Sequence, residues 1–296
     1  MRILLSGATG FIGKKLGIAL TAKGHEIIAL VRDKNKVLPF SCEKISWDEA
    51  EAQLKDIDAI VHLAGESIAD KRWSAKRKKI ILESRIETTK KMHDFLRTAS
   101  GRKAQVFSSA SAIGYYGDRG DEILTENAPA GSGFLAEVCK AWEKEIFSDN
   151  KMRMVALRFG MVLGNEGGAF AKILPIFKRG FGSKLGSGRQ WMSWIHVDDL
   201  VNLILFSLEN TEIHGVINAV SPEPITNTIF TKKLCIALGV KEFFPVPSFI
   251  LKIILGEMST LVLASQRVIP EKILKLQFSF RFPTINLALN DLTKKI

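Results

Sequence analysis

A glycine-spaced turn near the start of the chain, Gly7-Ala8-Thr9-Gly10-Phe11-Ile12-Gly13, restricts the fold more than any other feature. It follows the apolar run Ile3-Leu4-Leu5 and opens a stretch, residues 11–22, whose apolar residues recur near helical spacing until Lys23-Gly24. Residues 27–31 read as the next strand. A strand–turn–helix–strand unit of about 30 residues is one mononucleotide-binding half of a doubly wound sheet. In such a unit Gly7 permits the tight turn, Gly10 lets the backbone approach a pyrophosphate, and Gly13 lets helix and strand pack closely. Thr9, Phe11 and Ile12 complete the turn and enter the helix, whose unpaired N–H groups and positive end suit an anion. The competing reading is a merely structural glycine turn, and the strand–helix–strand context favours dinucleotide binding over it.

Alternation continues with strands near 59–63, 104–108 and 154–157 and helices near 74–98 and 134–147. This predicts an α/β protein, a Rossmann-like doubly wound parallel sheet. Beyond Gly160 the pattern loosens into glycine-rich loops at 164–168 and 180–189, which suggest a substrate region. The 296 residues are thus expected to divide into a mainly NADP-binding part, 1–160, and a smaller interleaved substrate lobe, 161–296. Residues 194–220, with a helix near 200–208 and a strand near 215–220, are expected to return to the first part.

If the adenosine ribose carried a free 2′-hydroxyl, the second strand should end in Asp or Glu, yet it ends Leu30-Val31-Arg32. Arg32 instead offers a planar, permanently charged fork to a 2′-phosphate, with Lys34 and Lys36 adding field. A solvated surface arginine is the alternative. Given the glycine turn, NADP(H) is favoured over NAD(H).

The net charge of +11 suits an anionic ligand but names no partner. Cys42, Cys139 and Cys235 are too far apart for a CxxC pair, and no metal-binding spacing occurs, so no metal is expected. A strand beginning at Ile3 leaves no room for a secretory leader, which predicts a cytoplasmic protein. The apolar run 243–255 is interrupted by Pro245, Pro247 and Lys252, so neither a membrane span nor a membrane partner is expected.

Several motifs together resemble the extended short-chain dehydrogenase/reductases: GATGFIG at residues 7–13, HLAG at 62–65, SSASAIGYYG at 108–117 and WIHVDD at 194–199. AGESIADKRW at 64–73, ESR at 83–85, LGSGRQ at 185–190, GEM at 256–258 and QRVIP at 266–270 resemble more narrowly the YfcH-like family, nucleoside-diphosphate-sugar epimerase-like proteins. The resemblance covers nearly the whole chain. It implies that Gly7 to Gly13 hold the pyrophosphate, Val31 and Arg32 border the adenosine ribose, and Leu63, Ala64 and Gly65 line the cofactor crevice. It also implies that Arg85 faces the cofactor and that Val162 touches its nicotinamide end. A salt-bridged helix arginine is the other reading of Arg85.

The chain departs from the extended short-chain dehydrogenase/reductases that it resembles at the catalytic dyad. They carry Tyr-x-x-x-Lys on a helix, where the lysine lowers the tyrosine pKa for proton transfer. With Trp142-Glu143 as anchor, Leu135 stands at the tyrosine position and Cys139 at the lysine position, while Lys140 is turned by about 100°. Tyr115 and Tyr116 are the only tyrosines, so no shift of register restores the dyad. Ser111, Tyr115 and Tyr116 remain as candidates to hydrogen-bond a substrate, against structural roles for each. For His196, capping of the following helix is favoured over general-base work. The basic cluster at 71–79 reads first as a solvated face, second as phosphate steering and last as a nucleic-acid contact. The resulting expectation is an NADP(H)-binding reductase- or epimerase-like protein acting on a small anionic substrate without the dyad. The alternative is a non-catalytic NADPH-sensing or scaffold protein.

Overall fold

The computed structural model describes residues 1–50, 55–98, 104–149 and 151–294. Its main sheet contains β1 (Arg2–Ser6), β2 (Glu26–Val31), β3 (Glu43–Ser46), β4 (Ala59–His62), β5 (Val106–Ala112), β6 (Arg153–Phe159) and β7 (Gly215–Ala219). The seven strands are all parallel, in the order β7-β6-β5-β4-β1-β2-β3. This is the doubly wound order, and its direction reverses between β1 and β4, where a crevice opens at the strands' carboxyl ends.

The strands are apolar on both faces because helices cover both. Alternate residues Ile3, Leu5, Ile27 and Val61 pack with Leu16 and Leu20 of α1 (Phe11–Ala22) and with Leu200, Leu203 and Ile204 of α4 (Val197–Glu209). Leu4, Ile28, Ile60 and Phe107 point the other way, toward Met92 of α2 (Ala75–Thr98) and Trp142 and Ile146 of α3 (Phe134–Ile146). Ser74, whose hydroxyl accepts the Arg77 N–H at 3.2 Å, caps α2. In α3, Cys139, Trp142, Glu143 and Ile146 repeat at helical spacing and are buried. Glu43-Lys44-Ile45-Ser46 offers one buried apolar side chain, so the edge strand β3 had no sequence pattern to reveal it.

The later part of the chain builds its own core from Leu163, Phe170, Trp194, Phe230, Phe282 and Leu289. Within 194–220, Trp194–His196 pairs with Met161–Leu163 outside the main sheet, whereas α4 and β7 join it. The two parts are also laced together by Ile123–Leu124, which pairs with Arg267–Val268. Among the described residues no helix is long and apolar enough to cross a membrane.

Candidate functional site

The turn after β1 lies at the crevice. Gly7 has φ +74°, and a Cβ there would stand 2.7 Å from the Leu63 carbonyl carbon, so only glycine lets β1 and β4 approach this closely. A Cβ on Gly13 would strike the Gly7 carbonyl oxygen. At Gly10 the one neighbour within 4 Å would be the Gly7 oxygen at 3.2 Å, which leaves room for a ligand. No side chain caps α1 and no acid stands in its first turn, so its N–H groups and positive end stay open to an anion. These features fit a pyrophosphate. Phe11 packs under the 164–168 loop: a Cβ on Gly167 would lie 2.6 Å from the Phe11 Cβ. Gly164 and Gly167 leave room for this ring, and Gly168 has a left-handed backbone, φ +72°.

Val31 is buried at the end of β2, and Arg32 after it is exposed, with no ion-pair partner among the described residues. Lys34 is differently placed, since its ammonium pairs with Glu49 at 2.9 Å. The Ser46 N–H and hydroxyl join Lys34 on that carboxylate and hold it down at about 2.

The Leu63-Ala64-Gly65 wall rests on a buried polar chain that sequence reasoning missed. The Ser6 hydroxyl meets His62 Nδ1 at 2.7 Å and accepts the Ala64 N–H at 3.3 Å. His62 Nε2 meets the Thr88 hydroxyl at 3.3 Å, and that hydroxyl donates to the Ser84 carbonyl at 2.6 Å. Consistent donors place the proton of a neutral imidazole on Nε2. Burial, assisted by His93, pushes the His62 pKa down to about 3. The signal was His62 itself, a polar residue closing an otherwise apolar strand.

Arg85 extends from α2 over Gly65, its Cζ 3.7 Å from where a Cβ would be, and lies 5.1 Å from the Trp142 ring centroid. One terminal nitrogen donates to the carbonyls of Glu66 (3.1 Å) and Ile81 (2.9 Å). No described carboxylate lies within ion-pair distance, and Nε and the other terminal nitrogen have no acceptor among the described residues. The salt-bridged reading of Arg85 is therefore corrected. Desolvation lowers its pKa, outweighing the attraction of the more distant Glu66 carboxylate, which raises it.

Leu135 and Cys139, expected at the dyad positions, lie together: a Cβ on Gly114 would touch the Leu135 Cβ at 3.1 Å and Cys139 Sγ at 3.6 Å. Burial, then Glu143, pushes the Cys139 thiol up to about 12, so it is a small apolar residue rather than a nucleophile. Lys140 faces solvent, paired with Glu137 at 2.9 Å.

The three substrate-contact candidates do not converge on this crevice. Ser111 is buried and donates to Glu143 at 2.7 Å. Both Glu143 oxygens also receive the Arg158 guanidinium, at 2.7 Å each. Burial disfavours the Arg158 charge, but Glu143 outweighs it and raises the pKa. Arg158 donates in turn to the Tyr116 hydroxyl at 2.8 Å, and that hydroxyl donates toward Asn218 Oδ1 at 2.7 Å and the Thr125 carbonyl at 3.0 Å. Tyr116 is fully buried, which drives its pKa up to about 12. Tyr115 stacks on Arg158 at 3.4 Å and lines a shallow cleft with Lys140 and Lys144 that none of Gly65, Arg85 and Cys139 borders.

Val162 belongs to the short strand Met161–Leu163 beside Ile195 and packs against the core under α1. His196 caps α4, its Nδ1 accepting the Asp198 N–H at 3.1 Å, and stacks on Phe282 at 3.9 Å. Asp199 accepts the N–H groups of Arg281 (2.7 Å) and Phe282 (2.9 Å), docking the C-terminal part. The basic cluster at 71–79 is only partly a solvated face. Arg77 is buried, binds Glu66 at 3.0 Å and donates to the Ser67 carbonyl; Lys78 binds Glu257 at 2.7 Å. These contacts hold the 66–67 segment and join it to the later lobe. No group of three or more metal-binding side chains occurs among the described residues.

The NAD dependent epimerase/dehydratase family matches residues 3–219, and a domain of unknown function (DUF1731) matches residues 246–292. The chain is 40% identical to the chloroplastic SDR39U1 homologue of Arabidopsis thaliana, an epimerase family protein, across 98% of this chain and 86% of that one. It is 35% identical to the epimerase family protein YfhF of Bacillus subtilis, across 99% and 98%. The crystal structure of human epimerase family protein SDR39U1 (isoform 2) with NADPH superposes with a TM-score of 0.93 at 33% identity, covering 100% of both chains.

Proposed function

Because the chain belongs to the NAD dependent epimerase/dehydratase family, we propose that it is an NADP(H)-binding reductase- or epimerase-like protein working without a tyrosine–lysine dyad on a small anionic substrate. Residues 7–13 would hold the pyrophosphate on the amino end of α1, with Thr9, Phe11 and Ile12 supplying the turn around the glycines. Val31 and Arg32 would border the adenosine ribose and its 2′-phosphate, the form of cofactor in the human relative. Leu63, Ala64 and Gly65 would form the crevice wall, and Val162 would meet the nicotinamide end. The bound nicotinamide supplies the hydride chemistry.

The observation that carries the substrate class is Arg85, a buried guanidinium with no carboxylate within ion-pair distance among the described residues, next to Cys139 where relatives carry lysine. Its unused donors would orient a substrate oxygen and stabilise negative charge developing there. Cys139 and Leu135 would keep that side of the site apolar, strengthening the field of Arg85. With Ser111 and Tyr116 engaged elsewhere, a water in the crevice would provide the proton. A non-catalytic NADPH-reporting protein is the second reading, favoured by the burial of Ser111 and Tyr116 on protein partners.

Calorimetry with NADPH, followed by nicotinamide absorbance across a metabolite panel rich in carbonyl compounds bearing carboxylates, tests both readings. Turnover that falls by about 10²-fold or more in Arg85→Met, with NADPH still bound, is the expected result. Tight NADPH binding with no absorbance change on any compound selects the second reading. Ordinary nucleotide sugars should not be turned over at about 1–10³ s⁻¹; such rates would show that another group performs the proton transfer.

A further inference from the structure

Residues 243–255, FFPVPSFILKIIL, are too short and too interrupted to span a bilayer, yet the structure does not bury them. In the helix α5 (Ser248–Leu255) only Leu251 is buried. Phe249 and Ile253, four residues apart on one face, are 63% and 71% exposed, and Ile254 is 59% exposed. The patch extends beyond the helix. Phe244 is 79% exposed and meets the Phe243 ring at 5.5 Å; Phe243 meets Phe181, itself 56% exposed, at 5.6 Å. The Phe243 N–H donates to the Gly182 carbonyl at 2.7 Å, so the two segments form one surface. Single exposed apolar side chains are ordinary, but a contiguous group marks a place of contact.

The charges indicate what that contact is. Lys178, Arg179, Lys241 and Lys252 are exposed among these side chains, and Glu242 is the only acid in residues 176–181 and 241–254. Glu257, just beyond the helix, is neutralised by Lys78. A second copy of this face would bring its cations against like charges, whereas an anionic surface would neutralise them. A short helix with Phe and Ile on its outer face and lysine beside them has the form of an element lying in a lipid interface. We infer that α5 and the tip formed by Phe181, Phe243 and Phe244 dock this protein reversibly on a membrane surface rich in anionic phospholipid. The apolar side chains enter the boundary between headgroups and acyl chains, and the four cations face the headgroups.

Cosedimentation with vesicles tests the docking. Wild-type protein should bind vesicles of equal parts phosphatidylcholine and phosphatidylglycerol, bind those of phosphatidylcholine alone at least about tenfold more weakly, and be released by about 0.5 M salt. Phe249→Asp with Ile253→Asp should lower binding by about tenfold or more. Lys178→Glu with Arg179→Glu should remove most of the preference for the anionic lipid. All four positions are exposed, and unchanged melting confirms that the variants fold. Failure of the wild type to bind either vesicle, or equal binding by wild type and the Phe249/Ile253 variant, overturns the inference. A concentration-dependent dimer abolished by Phe249→Asp would assign the face to a second copy and overturn it as well.

Discussion

Replacing Glu143 by glutamine tests whether the polar group beneath the crevice is structural. The Arg158 and Glu143 side chains are 3% and 7% exposed and meet through two hydrogen bonds of 2.7 Å. Glu143→Gln keeps the shape but leaves the Arg158 guanidinium buried without its counter-charge, a change that costs about 3–5 kcal/mol. The glutamine carbonyl can still accept from Ser111, so little is added by that bond. Against a total stability of about 5–15 kcal/mol for a domain, the loss is large, and the urea midpoint should fall substantially at an unchanged slope. Removing both charges, Glu143→Gln with Arg158→Met, should cost less than the two single losses together, with a coupling of about 0.5–3 kcal/mol. NADPH affinity of the folded single variant should change little, because neither residue reaches the glycine turn. A loss below about 1 kcal/mol in Glu143→Gln, or strictly additive losses, would refute the structural reading.

Arg32→Asp should weaken NADPH binding by about ten- to a hundredfold, measured by calorimetry, through loss of a charged hydrogen bond; equal wild-type affinities for NADPH and NADH would reject the assignment. Gly10→Val should melt like the wild type but lose NADPH, since its Cβ meets only the Gly7 oxygen, at 3.2 Å, and otherwise occupies ligand space. Gly13→Ala should instead lower the melting temperature, because its Cβ collides with backbone. Acid should destabilise the protein through His62, whose folded pKa of about 3 lies below the ordinary histidine value of 6.5. The unfolded chain takes up the proton first, so stability contributed by the neutral ring is complete above pH 6.5 and lost as pH falls toward 3. By pH 5 this amounts to about 2 kcal/mol, and His62→Gln should flatten that part of the urea-midpoint profile; an unchanged profile would reject it.

The amino-acid sequence alone determined the parts of this protein that are local or compositional. A glycine turn between an apolar strand and a periodic helix specifies a backbone conformation within a few residues, and Gly7 at φ +74° and the crowding at Gly13 follow that pattern. The alternation of apolar strands with helices carried the parallel sheet, because strands buried on both faces must be apolar throughout. Two tyrosines, neither on the helix 134–146, sufficed to exclude the dyad. Tertiary structure decided which polar groups are already engaged. Ser111 and Tyr116 read as candidates from their place in a motif, but their partners Glu143, Arg158 and Asn218 lie 32 to 102 residues away from them. The 71–79 cluster looked like one charged face, yet Arg77 is buried against Glu66 and Lys78 reaches Glu257, 179 residues away. Arg85 has the opposite history: the absence of a carboxylate within ion-pair distance among the described residues is visible only when its neighbours are in place. A hydrogen bond or ion pair is a relation between two groups brought together by folding, and spacing along the chain encodes it only when both groups belong to one helix turn, one cap or one strand pair.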